Sequence, residues 1–90
     1  MRKLIASEYQ IIQQLIYVEH FETIQSDTGL KFGELRDDLI NLYDAGFIEI
    51  FEEQDATVPK KLPYFDSDRP QLFCYRATKS GLDAMKKYKP

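Results

Sequence analysis

The chain has 90 residues, 43% apolar and 13% aromatic, with a formal net charge of −3. This length fits one globular domain with a thin hydrophobic core, over residues 1–90, and the composition excludes a disordered chain. The single cysteine, Cys74, and the single histidine, His20, exclude an internal disulfide and a zinc site of the usual ligand count.

The distribution of apolar and charged residues narrows the class further. No apolar run reaches the roughly 18 residues of a membrane span, and the apolar stretch after Lys3 is too short for a secretory signal. We therefore expect a cytoplasmic protein without a membrane segment. Positive charge gathers only at the C-terminal end, where residues 76–90 carry five basic residues and one acidic residue.

The first predicted element is a helix over about residues 8–19. Ser7 and Gln10 have the spacing of a capping box, in which each side chain accepts a hydrogen bond from the other's backbone N–H. Apolar residues then recur at helical spacing, at Tyr9, Ile12, Leu15 and Ile16. His20 is expected in the last turn, where the helix dipole favours a cationic side chain.

A short second helix is predicted over residues 21–28, with Phe21 and Ile24 on one face. Gly29 follows in the position of a left-handed C-cap, because glycine adopts positive φ without steric strain. The chain then turns through Leu30, which we expect to be buried. A helix pair joined by a tight turn that contains glycine presents its second helix outward.

The third helix is predicted over about residues 33–45. Leu35, Leu39 and Leu42 recur at intervals of four and three, so they form one apolar stripe that packs on the first helix. Gly46 ends this helix as a second C-cap. Glycine is unusual near a helix start, so Gly33 suggests a close approach of another backbone.

Two strands and a last helix complete the prediction. Residues 47–51 and 71–77 are rich in β-forming residues. The stretch between them, about 52–70, is polar and contains Pro59, Pro63 and Pro70. Since proline cannot donate to a strand ladder, we expect a long loop there, not a third central strand. Thr78 caps the last helix, over about 79–88.

Two stretches carry a family resemblance. Residues 24–48 contain the turn Thr28-Gly29-Leu30 and then a leucine pattern, L-x-x-L-x-x-x-G-hydrophobic-I, that ends at Ile48. Residues 75–81, Tyr75-Arg76-Ala77-Thr78-Lys79-Ser80-Gly81, are similar to a Y-x-L-T-x-x-G passage. Both patterns resemble the winged helix-turn-helix family, as in small bacterial transcriptional regulators of the multiple-antibiotic-resistance and phenolic-acid-repressor kinds.

The resemblance implies a fold and a function. The fold is an α+β winged helix, in which a three-helix bundle carries a two-stranded β-wing, with a long wing loop at about 52–70, and a C-terminal helix. The implied function is binding of duplex DNA in transcription regulation, with the third helix in the major groove. Two-fold operators favour a homodimer. In this family Ser or Thr usually caps the third helix, where this chain has Lys31.

The candidate DNA-binding residues are the basic and amide side chains of the turn, third helix, wing loop and wing base. They are Lys31, Arg36, Asn41, Lys60, Lys61, Arg69, Arg76 and Lys79. The outward face of the third helix carries Asp37 and Asp44, with Glu34 at its margin, and these carboxylates repel phosphate. We therefore expect DNA affinity to depend on Lys60, Lys61, Arg76 and Lys79 more than on the third helix.

The same residues bear on two alternatives to DNA binding. A winged helix can also be a protein-interaction module, with the acidic face of the third helix or the aromatic pair Tyr64-Phe65 as the contact surface. An enzyme is not predicted, because the sequence contains no phosphate-binding glycine loop, no nucleophile–base arrangement and no metal-ligand spacing. No cofactor is predicted either.

A homodimer is expected from apolar residues that a core of this size does not cover. They are Ile11, Tyr17 and Val18 of the first helix and Met85 and Tyr88 of the last. The prediction places the dimer interface on the first helix, the last helix, or both.

Overall fold

The computed structural model describes residues 2–53, 55–60 and 68–89. The elements in chain order are α1 (Ala6–Gln13), β1 (Glu19–His20), α2 (Phe21–Thr28), α3 (Phe32–Asp44), β2 (Ile48–Glu52), β3 (Asp55–Lys60), a 3-10 turn (Pro70–Leu72), β4 (Phe73–Ala77) and α4 (Lys79–Lys86). The four helices of the described residues pack with one antiparallel sheet of order β1-β4-β2-β3. The α+β class is thus confirmed. None of the described helices has the length and apolar character needed to cross a membrane.

The first helix is shorter than predicted and begins earlier. Its N-cap is Ile5, and the carboxylate of Glu8 accepts a hydrogen bond from the Ile5 N–H over 3.1 Å. The expected capping box of Ser7 and Gln10 was therefore wrong. Beyond Gln14 the chain leaves the helix, and the backbone oxygen of Leu15 accepts from the N–H of Ala77 over 2.8 Å. This tertiary contact overrides the helical spacing of the apolar residues.

The residues expected on the later turns of the first helix consequently have other roles. Glu19 and His20 form β1, which pairs with β4, so His20 does not end a helix. Ile16 is 55% exposed instead of buried with Leu15. Ile11, which was expected at a dimer interface, is fully buried in the core.

The second and third helices agree with the prediction. Gly29 has φ +71° and Gly46 has φ +77°, so both occupy the left-handed region that ends a helix. Leu35, Leu39 and Leu42 are fully buried. Gly33 is different, because a Cβ there would meet no atom within 4 Å. The expected close backbone approach at Gly33 was therefore wrong.

The predicted wing strands pair as expected, but the sheet is larger than a two-stranded wing. β2 and β4 pair antiparallel, with Ile50 opposite Tyr75. β1 extends the sheet on one side, and β3 extends it on the other by pairing with β2. The prediction of a loop over 52–70 was thus wrong for Asp55–Lys60. Pro59 is tolerated because β3 is an edge strand, which needs ladder hydrogen bonds on one side only.

Residue 54 and residues 61–67 lie outside the described residues, and the expectations for Lys61, Pro63, Tyr64 and Phe65 therefore stay predictions. The chain is described again from Asp68. The buried hydroxyl of Tyr75 donates to the Pro70 carbonyl over 2.8 Å and fixes the 3-10 turn against β4.

One hydrophobic core joins the helices to the inner face of the sheet. Its fully buried members are Ile11, Ile12, Leu15, Phe21, Ile24, Leu35, Leu39, Leu42, Ile50 and Tyr75. Met85 and Tyr88 pack against this core and are half-buried. The ring of Tyr88 stacks on that of Tyr9, with centroids 4.3 Å apart.

Shortening a leucine of this core tests the assignment of the buried face of α3. Leu39→Ala is expected to lower the free energy of unfolding by about 2 to 5 kcal/mol, because it removes buried methyl groups and leaves a cavity. Urea unfolding followed by circular dichroism measures it. The matched control is Leu72→Ala, since Leu72 is 47% exposed and its truncation leaves no closed cavity. An equal loss in both variants would contradict the assignment.

Candidate nucleic-acid interface

The unit α2–turn–α3 is held by local hydrogen bonds. The Gly29 N–H donates to the Gln25 carbonyl over 2.9 Å. The Thr28 hydroxyl donates to the Ile24 carbonyl over 2.8 Å and accepts from the Leu30 N–H over 3.4 Å. These bonds fix the angle at which α3 leaves the turn. Because its leucine face is buried, the opposite face of α3 points outward.

The outward face of α3 is acidic. Its exposed residues are Phe32, Glu34, Asp37, Asn41 and Asp44. Asp38 beside them is half-buried, and burial, together with the negative charges of Glu8, Glu34 and Asp37, raises the pKa of its carboxyl, against a hydrogen bond from Ser7. This face carries the wrong sign for contact with phosphates.

Two of the candidate arginines are already paired with carboxylates. Arg36 donates to Asp37 on the same helix over 3.1 Å. Arg76 on β4 donates to Glu49, its register partner on β2, over 2.8 Å, and its guanidinium lies 5.2 Å from the ring centre of Phe51. In each pair the nearby carboxylate offsets the positive charge of the guanidinium and so weakens its attraction for a phosphate.

Lys61 lies outside the described residues, and the other candidates lie on four parts of the fold. Lys31 is the N-cap residue of α3, and Lys79 is the first residue of α4. Both are exposed, and within the described residues neither makes an ion pair. Lys60 ends β3, and Arg69 is exposed just before the 3-10 turn. The backbone oxygen of Asn41 accepts from Arg2 over 3.4 Å.

The seven candidate residues that the structure describes do not form one preassembled site. No hydrogen bond or ion pair between described residues joins any two of them. Instead they are distributed over the turn, α3, the sheet and the start of α4. Such an arrangement is suited to contacts with a repeating phosphate backbone, which positions a protein without reading sequence.

The buried charge of Glu8 was not predicted from the sequence. Glu8 is 2% exposed, and both its oxygens accept from the Arg2 guanidinium, over 2.8 and 2.7 Å. Burial acts to raise the pKa of Glu8, but the hydrogen bonds from Arg2 and from the Ile5 N–H outweigh it, and the pKa lies below its ordinary value. The sequence contained one signal for this contact, because a glutamate three residues after a helix N-cap often accepts a hydrogen bond from the N-cap backbone N–H.

A second polar cluster joins β1 to β4. The Sγ atom of Cys74 lies 3.3 Å from Nδ1 of His20, and the same nitrogen lies 3.6 Å from a carboxylate oxygen of Glu53. Burial and the charges of Glu53 and Glu19 raise the pKa of the Cys74 thiol. The thiol is thus kept protonated at neutral pH, unlike the thiolate of an activated nucleophile. Since His20 and Cys74 are register partners, this contact lies along the pairing of β1 with β4.

The described part of the chain contains no group of three histidine, cysteine or acidic residues that could hold a metal ion. Comparison with protein-family models, curated proteins and solved structures gives no match. Inference about function therefore depends on the fold and on the charges of the described residues.

Proposed function

We propose that this chain is a winged-helix protein that binds duplex DNA, as transcriptional regulators do, and that it acts as a homodimer. The observation that carries the proposal is the unit α2–Gly29–α3, beside an antiparallel sheet whose strands β2 and β3 form a hairpin. A helix fixed by a tight turn, with one face buried and the other outward, is the arrangement that helix-turn-helix proteins place against DNA.

From the positions of the lysines, we place the phosphate contacts at the turn before α3, the edge strand β3 and the start of α4. Lys31 and Lys79 are exposed cations without an ion pair among the described residues. Lys60 is the last residue of the edge strand β3, and Lys61 follows it in the sequence. Each phosphate contact made by a lysine releases condensed counterions, which favours association. Because α3 faces outward with carboxylates, it contributes little to this affinity.

A second candidate function is supported by that same acidic face. Glu34, Asp37 and Asp44 are exposed on α3, and no described cation outside this helix pairs with them. A basic surface on another protein would complement them better than DNA does. The second candidate is thus a winged-helix interaction module that does not bind DNA.

The proposal predicts salt-dependent DNA binding carried by the lysines. Fluorescence anisotropy with a labelled random-sequence duplex, from about 50 to 200 mM salt, is expected to show affinity that falls steeply with salt. Neutralising Lys60 and Lys61 together should weaken binding and reduce the salt slope by up to about 2, roughly one unit per lost phosphate contact. Replacing Asp37 and Asp44 by Asn should leave binding equal or tighter.

The matched control neutralises Lys86 and Lys87, an adjacent pair at the opposite end of α4, and should leave the slope unchanged. Absence of association at every salt concentration would overturn DNA binding and favour the interaction module. A different result would be that Asp37→Asn abolishes binding to one preferred DNA sequence while neutralising Lys60 and Lys61 has no effect on binding. In that case α3 reads bases through its carboxylates, and the assignment to the lysines is wrong.

A further inference from the structure

A groove of about 700 Å³ lies beside the C-terminal end of α3. We call it the α3-end groove. Its walls come from the segment before α1 and the first turn of α1, from the end of α3, and from the start of α4. Its lining residues are Arg2, Ile5, Glu8, Asn41, Asp44, Ala45, Phe47 and Ser80. No described lysine lines this groove, so it lies apart from the lysines to which we assign DNA affinity.

One side of the α3-end groove is apolar and held in place. The side chain of Ile5 is 57% exposed, although its backbone is the N-cap of α1 and its N–H donates to the Glu8 carboxylate over 3.1 Å. The Phe47 ring behind it is 2% exposed and belongs to the core. An exposed isoleucine on a fixed backbone offers apolar surface that needs little ordering when a partner binds.

The other side of the groove is negatively charged. Arg2 is paired with both oxygens of Glu8, so these two residues cancel each other's charge. Asp44, the last residue of α3, is exposed and makes no ion pair within the described residues. The last turn of α3 contains no basic residue, so the negative pole of the helix dipole adds to the charge of Asp44. A cation is therefore favoured at this end of the groove.

These two sides exclude several classes of ligand. Phosphate and carboxylate groups have the same sign of charge as Asp44, which repels them. A divalent metal ion needs several oxygen ligands, and Glu8 is already bound by Arg2. A lysine or arginine side chain satisfies both sides. Its aliphatic stem covers an apolar residue, while its charged head forms charge-assisted hydrogen bonds with a carboxylate.

We propose that the α3-end groove binds a basic side chain, lysine or arginine, from an exposed segment of a protein partner. The stem of this side chain lies along Ile5, and its head donates to the Asp44 carboxylate. Because the groove is open to solvent, it admits a side chain that stays attached to its backbone. The inference rests on the second candidate function, the interaction module, and names the class of partner that the module binds.

The test uses the full chain and a labelled peptide with blocked ends, Gly-Leu-Lys-Leu-Gly. Fluorescence anisotropy should give one site with a Kd below about 1 mM. The same peptide with acetyl-lysine, which keeps the stem and loses the charge, should bind about fivefold more weakly or worse. Asp44→Asn should weaken binding of the lysine peptide by a similar factor. Ile5→Ser should weaken it as well, and serine is a favoured N-cap residue that keeps the start of α1.

The matched control is Glu34→Gln, which removes one exposed carboxylate from the same helix, about 15 Å along its axis from Asp44. This separation exceeds the Debye length of about 8 Å at 0.15 M salt, so peptide affinity should stay within about twofold. Equal weakening by Asp44→Asn and Glu34→Gln would assign binding to the whole acidic face of α3. That result would keep the interaction module and overturn the groove.

Three other outcomes would contradict the proposal. Absence of peptide binding would overturn the groove as a site for a basic side chain. Binding of the acetyl-lysine peptide as tight as that of the lysine peptide would show that the charge of Asp44 is not used, and would overturn it too. Binding of free n-butylamine as tight as that of the peptide would overturn the assignment to a protein segment, because the ligand would then be a small amine.

Discussion

Replacing Gly81 by alanine is expected to destabilise the fold by about 3 to 5 kcal/mol, which is at the upper end of single substitutions. A Cβ at Gly81 would overlap the carbonyl oxygen of Phe47 and lie 2.9 Å from its carbonyl carbon. The obstacle is backbone, so it cannot rotate away as a flexible side chain would. The start of α4 would have to move off the turn between α3 and β2.

Hydrogen bonds hold the same contact. The Thr78 N–H donates to the Phe47 carbonyl over 2.9 Å, and the Thr78 hydroxyl donates to the Gly46 carbonyl over 2.7 Å and accepts from the Gly81 N–H over 3.1 Å. A displaced α4 loses the two bonds that Thr78 makes to the Gly46 and Phe47 carbonyls, which adds to the steric penalty. Thr78 and Gly81, the threonine and glycine of the T-x-x-G pattern, thus together hold the start of α4 against the turn between α3 and β2.

Gly33 provides a control of opposite sign. It lies in α3, and a Cβ there meets no atom within 4 Å, so Gly33→Ala should stabilise the protein by about 0.5 to 1 kcal/mol through the unfolded chain. Urea unfolding of the two variants under one buffer compares them directly. Two losses of similar size would mean that the close approach of Gly81 to Phe47 is not the cause.

These two glycines show where sequence reasoning succeeds and where it stops. Gly29 and Gly46 were identified as C-caps because each glycine directly follows an apolar helical repeat, and this pattern is visible in the local sequence. The different surroundings of Gly33 and Gly81 depend on which elements pack together, and no local pattern encodes that. The prediction therefore assigned the close backbone approach to the wrong glycine.

Among the strands, too, some were predictable from local sequence and others were not. Strands over residues 47–51 and 71–77 were predicted from β-forming composition, which reflects a half-buried pleated surface, and β2 and β4 lie within one or two residues of these bounds. β1 has two residues and is defined by its pairing with β4. Because the local sequence does not show this pairing, the same residues were assigned to the end of α1, which was predicted too long. β3 was missed because the proline argument distinguishes central strands from loops but says nothing against an edge strand.

The candidate site was predictable in its charges and not in its pairings. The acidic outward face of α3 followed from helical geometry, since positions opposite the leucine stripe face solvent. The ion pair of Arg76 with Glu49 joins residues 27 positions apart and depends on strand register. Arg2 and Glu8 lie close in sequence, but their importance comes from burial, which the sequence does not display.

Replacing Arg2 by methionine is expected to lower the free energy of unfolding at pH 7 by about 2 to 3 kcal/mol. Breaking a fully buried ion pair costs about 3 to 5 kcal/mol because one charge stays buried without a partner. Here Glu8 is 2% exposed but the Arg2 side chain is 41% exposed, so water screens part of the interaction. Lys3→Met is the matched control and should change stability little, because Lys3 is exposed and has no ion pair among the described residues.

Lowering the pH should remove the difference in the free energy of unfolding between the wild type and Arg2→Met. The pKa of Glu8 is lowered in the folded state, so the ion pair stabilises the protein above the ordinary glutamate pKa of about 4.3. This contribution is lost as the pH falls further, through the lowered pKa of the folded state. Urea unfolding of both proteins from neutral to acid pH should give two curves that converge below the ordinary pKa. A gap that stayed constant over this range would assign the loss to the packing of Arg2 on Phe47, 5.6 Å from its ring centre, instead of to the charge of Glu8.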